Sequence, residues 1–487
     1  MASHRLVTRQ LIPRSIEDVF AFFASPDNLA RLTPRSMRFE FLTDDRQMRK
    51  GLELAYRLRP LLGIPVAWRT RIDAYDPPNG FRDSQLRGPY ARWEHRHAFT
   101  PVPGGTLMTD EVEYVLPLGP LGDLVNRLVV RKELQRIFRF RAIAVASALQ
   151  APSTAPTGRT IAVAGGTGFV GEGIAAELHR RGHRVVVLSH RGEAARGALP
   201  DDIEIRSADI TDPASLAPAL AGVESLAIAL AFPGSPMESA RKGWTFDQVD
   251  SQGTERLVAA ARMAGVRRLV YISGAGAGPD AARHWFRAKW KAEEAVRASG
   301  LTWTIIRPTW IFGPRDVSLN RFIGLARWLP VVPLPNTGRQ LLSPVFIDDA
   351  ARLAADSLTD PAADGQVFEL GGPETLTMRA VVSRALRAAG LSRPILPGPA
   401  RLIKVAAWPM SLLPEPPLTP DGVDFINQPA TVDLTSLLAR MPRRLTPLDE
   451  GLRTYLGATG AKGSSLVFDG PPEPGGRGRP LAGSSAR

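Results

Sequence analysis

Apolar and polar residues alternate along TLMTDEVEYVL: Met108, Val112, Tyr114 and Leu116 fall on one side, Thr109, Glu111 and Glu113 on the other. A period of two is what a strand with one buried face requires. Similar β-like stretches precede it, RFEFL, ELAYRLR, VAWRTRIDAY, FRDSQL and WEHRHAF, after an opening strand over residues 5–12. Behind that opening strand, Ser15 and Asp18 mark a helix start, and Ile16, Val19, Phe20 and Phe23 share one helical face. The segment closes on GDLVNRLVVRKELQRIFRFRAIAVASAL, an amphipathic helix whose predicted buried face is Leu124, Leu128, Leu134, Ile137 and Phe138.

Past APSTAPTG, residues 151–158, the pattern changes. That stretch is small, proline-bearing and without apolar period, so it is expected to link a first domain, residues 1–150, to a second, residues 159–456. The second opens on TIAVAGGTGFVGEGIAAELHRRGHRVVVLSHRGE, an apolar strand, a glycine-rich turn, a helix and another strand. Gly165, Gly168 and Gly171 directly follow the first strand, and Phe169 and Val170 open the helix between them. The first glycine permits a tight turn, the second lets backbone approach a pyrophosphate, and the third lets helix pack on strand. At the start of a βαβ unit this turn predicts dinucleotide binding. Ser189 and Arg191 follow the second strand, where an acidic residue would grip a ribose 2′-hydroxyl. An arginine there favours a 2′-phosphate, hence NADP(H), with NAD(H) as the alternative.

Further along, GGPETLTMRAVVSRALRAAG has a threonine-led helix start, with Met378, Val381, Val382 and Leu386 on its apolar face. Asp348 and Asp349 in FIDDAA are expected to cap a helix. LIKVAAWPMSLLPEPPL is unusually apolar and broken by prolines. A small lobe packed on the sheet is its expected home, ahead of a substrate entrance or a membrane surface. From about Gly457 the chain is too rich in Gly, Pro and Ser to order itself.

Composition removes several function classes. The 487 residues include no cysteine, which excludes disulfides and thiolate metal sites and suits a reducing cytoplasm. The seven histidines show no H-x-x-x-H or similar ligand spacing, so no metal is expected. A net charge of +13 raises nucleic acid or an anionic membrane as partners. The arginines are interleaved with acids and form no dense basic block, so neither partner is expected. The amino terminus has no continuous apolar core, and no apolar run approaches the roughly 20 residues that span a bilayer, so no secretory signal and no membrane span are expected.

The order of strand, short helices, antiparallel run and closing helix, opened by IPRSIEDVFAFFASPDNLARLTP, resembles the START/Bet v 1-like (SRPBCC) superfamily. That resemblance implies an α+β helix-grip fold, its curved sheet wrapping the closing helix around a cavity for a hydrophobic small molecule. Phe20, Phe23, Trp68, Trp93 and Tyr114 then either line the cavity or fill a core. From Thr160 to about Leu358, GGTGFVG, DITD, VDSQGTERLVAAARMAGVRRLVYISG, AKWKAEEAV, TWTIIRPTWIFGP and SPVFIDDAARLAADSL resemble the extended and atypical short-chain dehydrogenase/reductases, which have a NAD-dependent epimerase/dehydratase-like fold. Within that group the stretch from Arg307 to Ala351 is most similar to the branch that includes the NAD(P)H-binding accessory subunit of respiratory complex I. The implied architecture is an α/β Rossmann-type doubly wound parallel sheet, with a small C-terminal substrate lobe from about residue 358.

In active members of that family a tyrosine four residues before a lysine delivers or removes a proton while nicotinamide handles the hydride. That spacing puts both side chains on one helical face, where the ammonium holds the nicotinamide ribose and lowers the phenol's pKa. By resemblance the lysine is Lys289, the strand-end serine that orients substrate is Ser273, and the tyrosine position is Trp285. An indole donates a hydrogen bond but cannot release a proton near neutral pH, so the usual general acid is absent. The resemblance also implies that Asp209 contacts the adenine and that Arg307 and Pro308 bound the nicotinamide pocket. Three readings follow. Lys289 and Ser273 are catalytic beside a substitute acid, with His284 the nearest titratable neighbour; or the nucleotide is structural, in a noncatalytic redox sensor or assembly scaffold; or Lys289 is a solvated base beside Lys291 and Glu293. The leading expectation is an oxidoreductase or epimerase that prefers NADP(H) and acts on a hydrophobic small molecule.

Overall fold

The computed structural model describes residues 3–33, 37, 39–61, 64–102, 104–117, 119, 122, 125, 126, 130–149, 158–192, 199, 203–231, 238, 245–408 and 420–456. Outside the described residues lie Leu124 and Leu128, nearly all of the expected linker, the proline-rich end of LIKVAAWPMSLLPEPPL, and the segment from Gly457 onward. The chain falls into two compact units that part between Leu149 and Gln150.

In the first unit, β1 (Ser3–Ile12), β2 (Glu40–Phe41), β3 (Glu53–Leu61), β4 (Ile64–Asp76), β5 (Gly80–Arg87), β6 (Arg92–Val102) and β7 (Gly105–Val115) form one antiparallel sheet, in the order β1-β7-β6-β5-β4-β3-β2. Of RFEFL only two residues pair, as β2. β7 alternates as its pattern predicts, with Met108, Val112 and Tyr114 inward; Asp110 shares that buried face. Helix Ile16–Phe23 starts at Ser15, whose hydroxyl accepts the Asp18 N–H at 3.2 Å, and it buries Val19, Phe20, Phe22 and Phe23. Helix Arg131–Ala148 packs Leu134, Phe138 and Val145 against the inward side chains of the sheet, with Ile137 half-buried beside them. All five aromatics weighed above are buried, and Trp68 meets Trp93 edge to face at 5.3 Å.

In the second unit, β8 (Thr160–Ala164), β9 (Arg184–Ser189), β10 (Glu204–Ser207), β11 (Ser225–Ile228), β12 (Arg268–Ile272) and β13 (Thr302–Pro308) join the strand Gln366–Leu370 in a parallel sheet, ordered β10-β9-β8-β11-β12-β13 and then Gln366–Leu370. Strands buried on both faces need continuous apolar runs, and Val185–Leu188 and Ser225–Ile228 are buried throughout. One face packs on helices Phe169–Arg180 and Ile347–Ser357, the other on Gly253–Met263 and His284–Arg297. Strand order reverses at β8, and ligands of such sheets enter the crevice at the carboxyl ends of the two strands flanking that point, here β8 and β11.

A third core joins Phe312, Leu319 and Phe322 to Met378, Val382 and Leu448. The lobe therefore begins before residue 358: the chain leaves the sheet after β13, returns for Gln366–Leu370, and then completes the lobe. Its helix Met378–Ala388 starts at Thr377, whose hydroxyl accepts the Ala380 N–H at 3.2 Å. Thr377→Ala is expected to cost about 1 kcal/mol, read as a lowered urea midpoint with unchanged slope. Asp349 does not cap its helix. It lies inside the first turn, 2% exposed, and accepts from the backbone N–H and hydroxyl of Thr446 at 2.7 and 3.1 Å, because a buried carboxylate takes the nearest donors. Leu402, Val405 and Trp408, in and just after helix Ala400–Ala407, are exposed. Among the described residues no helix is long and apolar enough to cross a membrane.

Candidate nucleotide-binding and active site

The glycine turn leaves β8 at Gly165, whose φ of 76° is the left-handed region that side chains resist. A Cβ there would strike the Ala229 carbonyl, just past β11. Gly168 caps helix Phe169–Arg180 in an extended conformation, and its N–H donates to the Gly165 carbonyl at 2.9 Å. At Gly171 a Cβ would run into that same carbonyl, so the helix sits as close to the turn as bare backbone allows. The amides of Phe169, Val170 and Gly171 have no partner within their helix and lie at its positive end, where a pyrophosphate is held. The cradle fits the dinucleotide: it exists because side chains are missing where a ligand's phosphates approach.

Ser189 is buried at the end of β9, and its hydroxyl accepts the Arg191 N–H at 3.2 Å, which fixes the path of the next residues. The Arg191 side chain is exposed. Asp209 lies just past β10 and accepts from the Thr211 N–H and hydroxyl at 2.8 and 2.7 Å. Burial works upward on its carboxyl, but these two donors outweigh it and hold the pKa below the ordinary value.

At the far side of the crevice, Lys289 Nζ is 2.7 Å from Asp250, donates to the Leu230 carbonyl at 3.0 Å and to the Ile272 carbonyl at 3.3 Å, and lies over the Tyr271 ring. It is not a solvated base. Burial works downward on its pKa, yet Asp250, with Tyr271 adding to it, outweighs burial and raises the value. Asp250 sits on the π-helical turn Asp247–Gln252, a wide turn of the kind that re-aims side chains at functional sites.

One helical turn after Lys289, fully buried Glu293 receives a fork from Arg307, 2.8 and 2.6 Å, together with Arg297 at 2.7 Å and the Ser273 hydroxyl at 2.6 Å. Ser273 and Arg307 thus meet at one carboxylate, and Pro308 follows, buried, at the end of β13. Trp285 is 8% exposed, its indole N–H has no hydrogen-bond partner among the described residues, and the rings of Phe246, Phe286 and Phe425 lie 6.1 to 6.4 Å away. His284 pairs with Glu238 at 2.7 Å.

Sequence reasoning passed over Asp250, Glu293 and Arg315, whose guanidinium pairs with Glu172 in the first turn of the glycine-turn helix. For Glu293 a signal existed, since four residues from Lys289 is the same helical face. Asp250 and Arg315 become visible only once the turns are folded.

Sheet order, glycine turn and a lysine held at the carboxyl edge define a Rossmann-type unit of the short-chain dehydrogenase/reductase kind. The chain belongs to the NAD(P)H-binding family: the model so described matches residues 165–319, and one described as polyketide cyclase/dehydrase and lipid transport matches residues 3–150. A (4-alkanoyl-5-oxo-2,5-dihydrofuran-3-yl)methyl phosphate reductase of Streptomyces griseus is 32% identical over 238 residues, 47% of this chain and 74% of that protein. The chloroplastic divinyl chlorophyllide a 8-vinyl-reductase of Zea mays is 28% identical over 284 residues, 54% of this chain and 68% of that protein. The mitochondrial NADH dehydrogenase [ubiquinone] 1 alpha subcomplex subunit 9 of Dictyostelium discoideum is 26% identical over 230 residues, 46% of this chain and 62% of that protein. The chain spans only 24% of an uncharacterised relative from Mycobacterium tuberculosis. Among solved structures, UDP-glucuronic acid 4-epimerase from Bacillus cereus with UDP-glucuronic acid and NAD is 18% identical, with a TM-score of 0.48 over 61% of this chain and 98% of that one.

Proposed function

We propose that this protein is an NADP(H)-preferring reductase whose substrate is a hydrophobic small molecule carrying a conjugated C=C bond. The observation that carries the reading is Trp285: a buried donor with no partner of its own, walled by aromatic rings, one helical turn before Lys289. When bound, the nicotinamide supplies a hydride. Lys289 already donates to Asp250 and to the Leu230 and Ile272 carbonyls, so to hold the nicotinamide ribose it would exchange the longest of these, 3.3 Å to Ile272, for a ribose hydroxyl. Ser273 spends its proton on Glu293, so towards a substrate it acts only as an acceptor. The donor's part passes to Trp285, whose N–H polarises a substrate carbonyl without surrendering a proton.

Reduction of a conjugated double bond asks for no side-chain acid, because the second hydrogen arrives as a proton from water. Two relatives carry names that agree as to the reduction, a vinyl reductase and a reductase of an (alkanoyl-oxo-dihydrofuranyl)methyl phosphate. The first unit would bind the same class of apolar molecule, and its tether would raise that molecule's concentration near the second. A reducing cytoplasm suits a chain without cysteine. The second reading, a noncatalytic redox sensor or scaffold, draws on the likeness to the NADH dehydrogenase subunit.

Energy transfer from tryptophan to reduced nicotinamide, in the full chain, tests the first step. NADPH is expected to saturate more tightly than NADH, and Arg191→Glu to weaken NADPH about tenfold or more, the loss of one charge-assisted contact. An unchanged NADPH affinity in the variant removes Arg191 from the reading, and no saturable binding of either nucleotide removes the reductase. NADPH consumption with unsaturated but not saturated ketones supports the C=C assignment; consumption with saturated ketones alone overturns it.

A further inference from the structure

The first unit holds a cluster of charge in the middle of its aromatic interior. β6 turns Trp93, His95, His97 and Phe99 inward, because residues two apart share a face. Strand register then sets Asp83 of β5 opposite His95, and Asp110 of β7 opposite His97. Ligand atoms of Asp83, His95 and His97 all lie within 4.8 Å of one another. The spacing weighed in the sequence was helical; H-x-H is its counterpart on a strand.

Hydrogen bonding decides what each ring has left to offer. His97 Nδ1 is 2.6 Å from Asp110 Oδ1, and Asp110 is held in turn by Arg141 Nε at 3.2 Å. At 2.6 Å the carboxylate is the nearer partner of Nδ1, ahead of Arg141 Nη2 at 3.3 Å, which places the proton on Nδ1 and leaves the Nε2 lone pair facing Asp83 Oδ1, 3.9 Å away. That gap is too long for a hydrogen bond. It is close to the roughly 3.3 Å that separates two ligands of one tetrahedral zinc with bonds of about 2.0–2.1 Å. His95 Nε2 is buried and lies 3.3 Å from Asp110 Oδ1 without the geometry of a hydrogen bond, while the Thr70 hydroxyl secures the other oxygen of Asp83 at 2.9 Å.

We propose that Asp83, His95 and His97 form a divalent transition-metal site of the zinc type, with Asp110 orienting His97 from behind and a fourth position left to water or a ligand oxygen. Two imidazoles and one carboxylate are a common donor set for such ions. A cavity of about 10 Å³, room for one water, is bordered by Asp110, Arg141, Gln10 and Thr8 and adjoins the cluster, where a water could complete the coordination. The proposal stands apart from the nucleotide site and survives its failure.

The test uses the untagged full chain, purified from zinc-supplemented medium and analysed by elemental mass spectrometry. About one equivalent of zinc per chain is expected, and Co²⁺ exchanged into the site should give the visible bands of a low-symmetry four-coordinate ion. His97→Gln should lose both, and Asp110→Asn should bind roughly 10- to 100-fold more weakly while keeping the cobalt spectrum. Because a buried substitution risks the fold, circular dichroism accompanies each variant and the wild-type cobalt spectrum decides alone if a variant unfolds. Folded wild-type chain with no metal above background and no cobalt bands overturns the site and leaves a buried hydrogen-bond network.

Discussion

Gly171→Ala is expected to abolish measurable NADPH and NADH binding while leaving the parallel sheet intact. The added Cβ strikes the Gly165 carbonyl, so the helix must withdraw from the turn and carry the amides of Phe169 and Val170 with it. Losing two charge-assisted hydrogen bonds, at about 1.5–3 kcal/mol each, weakens binding by at least roughly a hundredfold. Gly324→Ala is the matched control. Its Cβ would meet nothing within 4 Å, and helix Val317–Trp328 should gain about 0.5–1 kcal/mol. Titration of both variants, with circular dichroism alongside, separates loss of the cradle from loss of the fold. Wild-type affinity in Gly171→Ala would mean that the first-turn amides hold no phosphate.

The nucleotide unit was legible because its demands are local. Gly165 is called for by its own φ of 76° and Gly171 by the carbonyl of Gly165 six residues before it, and β9 must be apolar because both its faces are covered; the approach of Ala229 to Gly165 was not legible in this way. The first unit was legible as alternation, and the same alternation placed Asp110 on the inward face of β7 between Met108 and Val112. Its meaning depends on β6 and on Arg141, more than ten and thirty residues away along the chain, and a pattern read along one strand contains no register. Gln366–Leu370 reads along the chain as one more short apolar run, and only the folded chain shows that it joins the main sheet beside β13. A charged residue on a helix is usually solvated, and beyond its spacing from Lys289 nothing along the chain sets Glu293 apart; four hydrogen bonds from Ser273, Arg297 and Arg307 do.

Lys289→Met should destabilise the second unit by about 3–5 kcal/mol, because it leaves Asp250, 1% exposed, with a charge and no counter-ion. Asp250→Asn should cost less, since the ammonium keeps the carbonyls of Leu230 and Ile272. The double variant should recover part of the loss, because a neutral pair of similar size removes both charges at once. Urea midpoints of the four proteins give the coupling directly. A Lys289→Met cost under about 0.5 kcal/mol would return the lysine to the class of solvated surface bases. A large coupling accompanied by weakened NADPH binding would support one ammonium serving two ends, held by Asp250 and the Leu230 carbonyl while its 3.3 Å bond to Ile272 gives way to the ribose. On the proposed reading, holding a nucleotide and supplying a proton are separate demands, and with Trp285 in place of a phenol Lys289 would meet only the first.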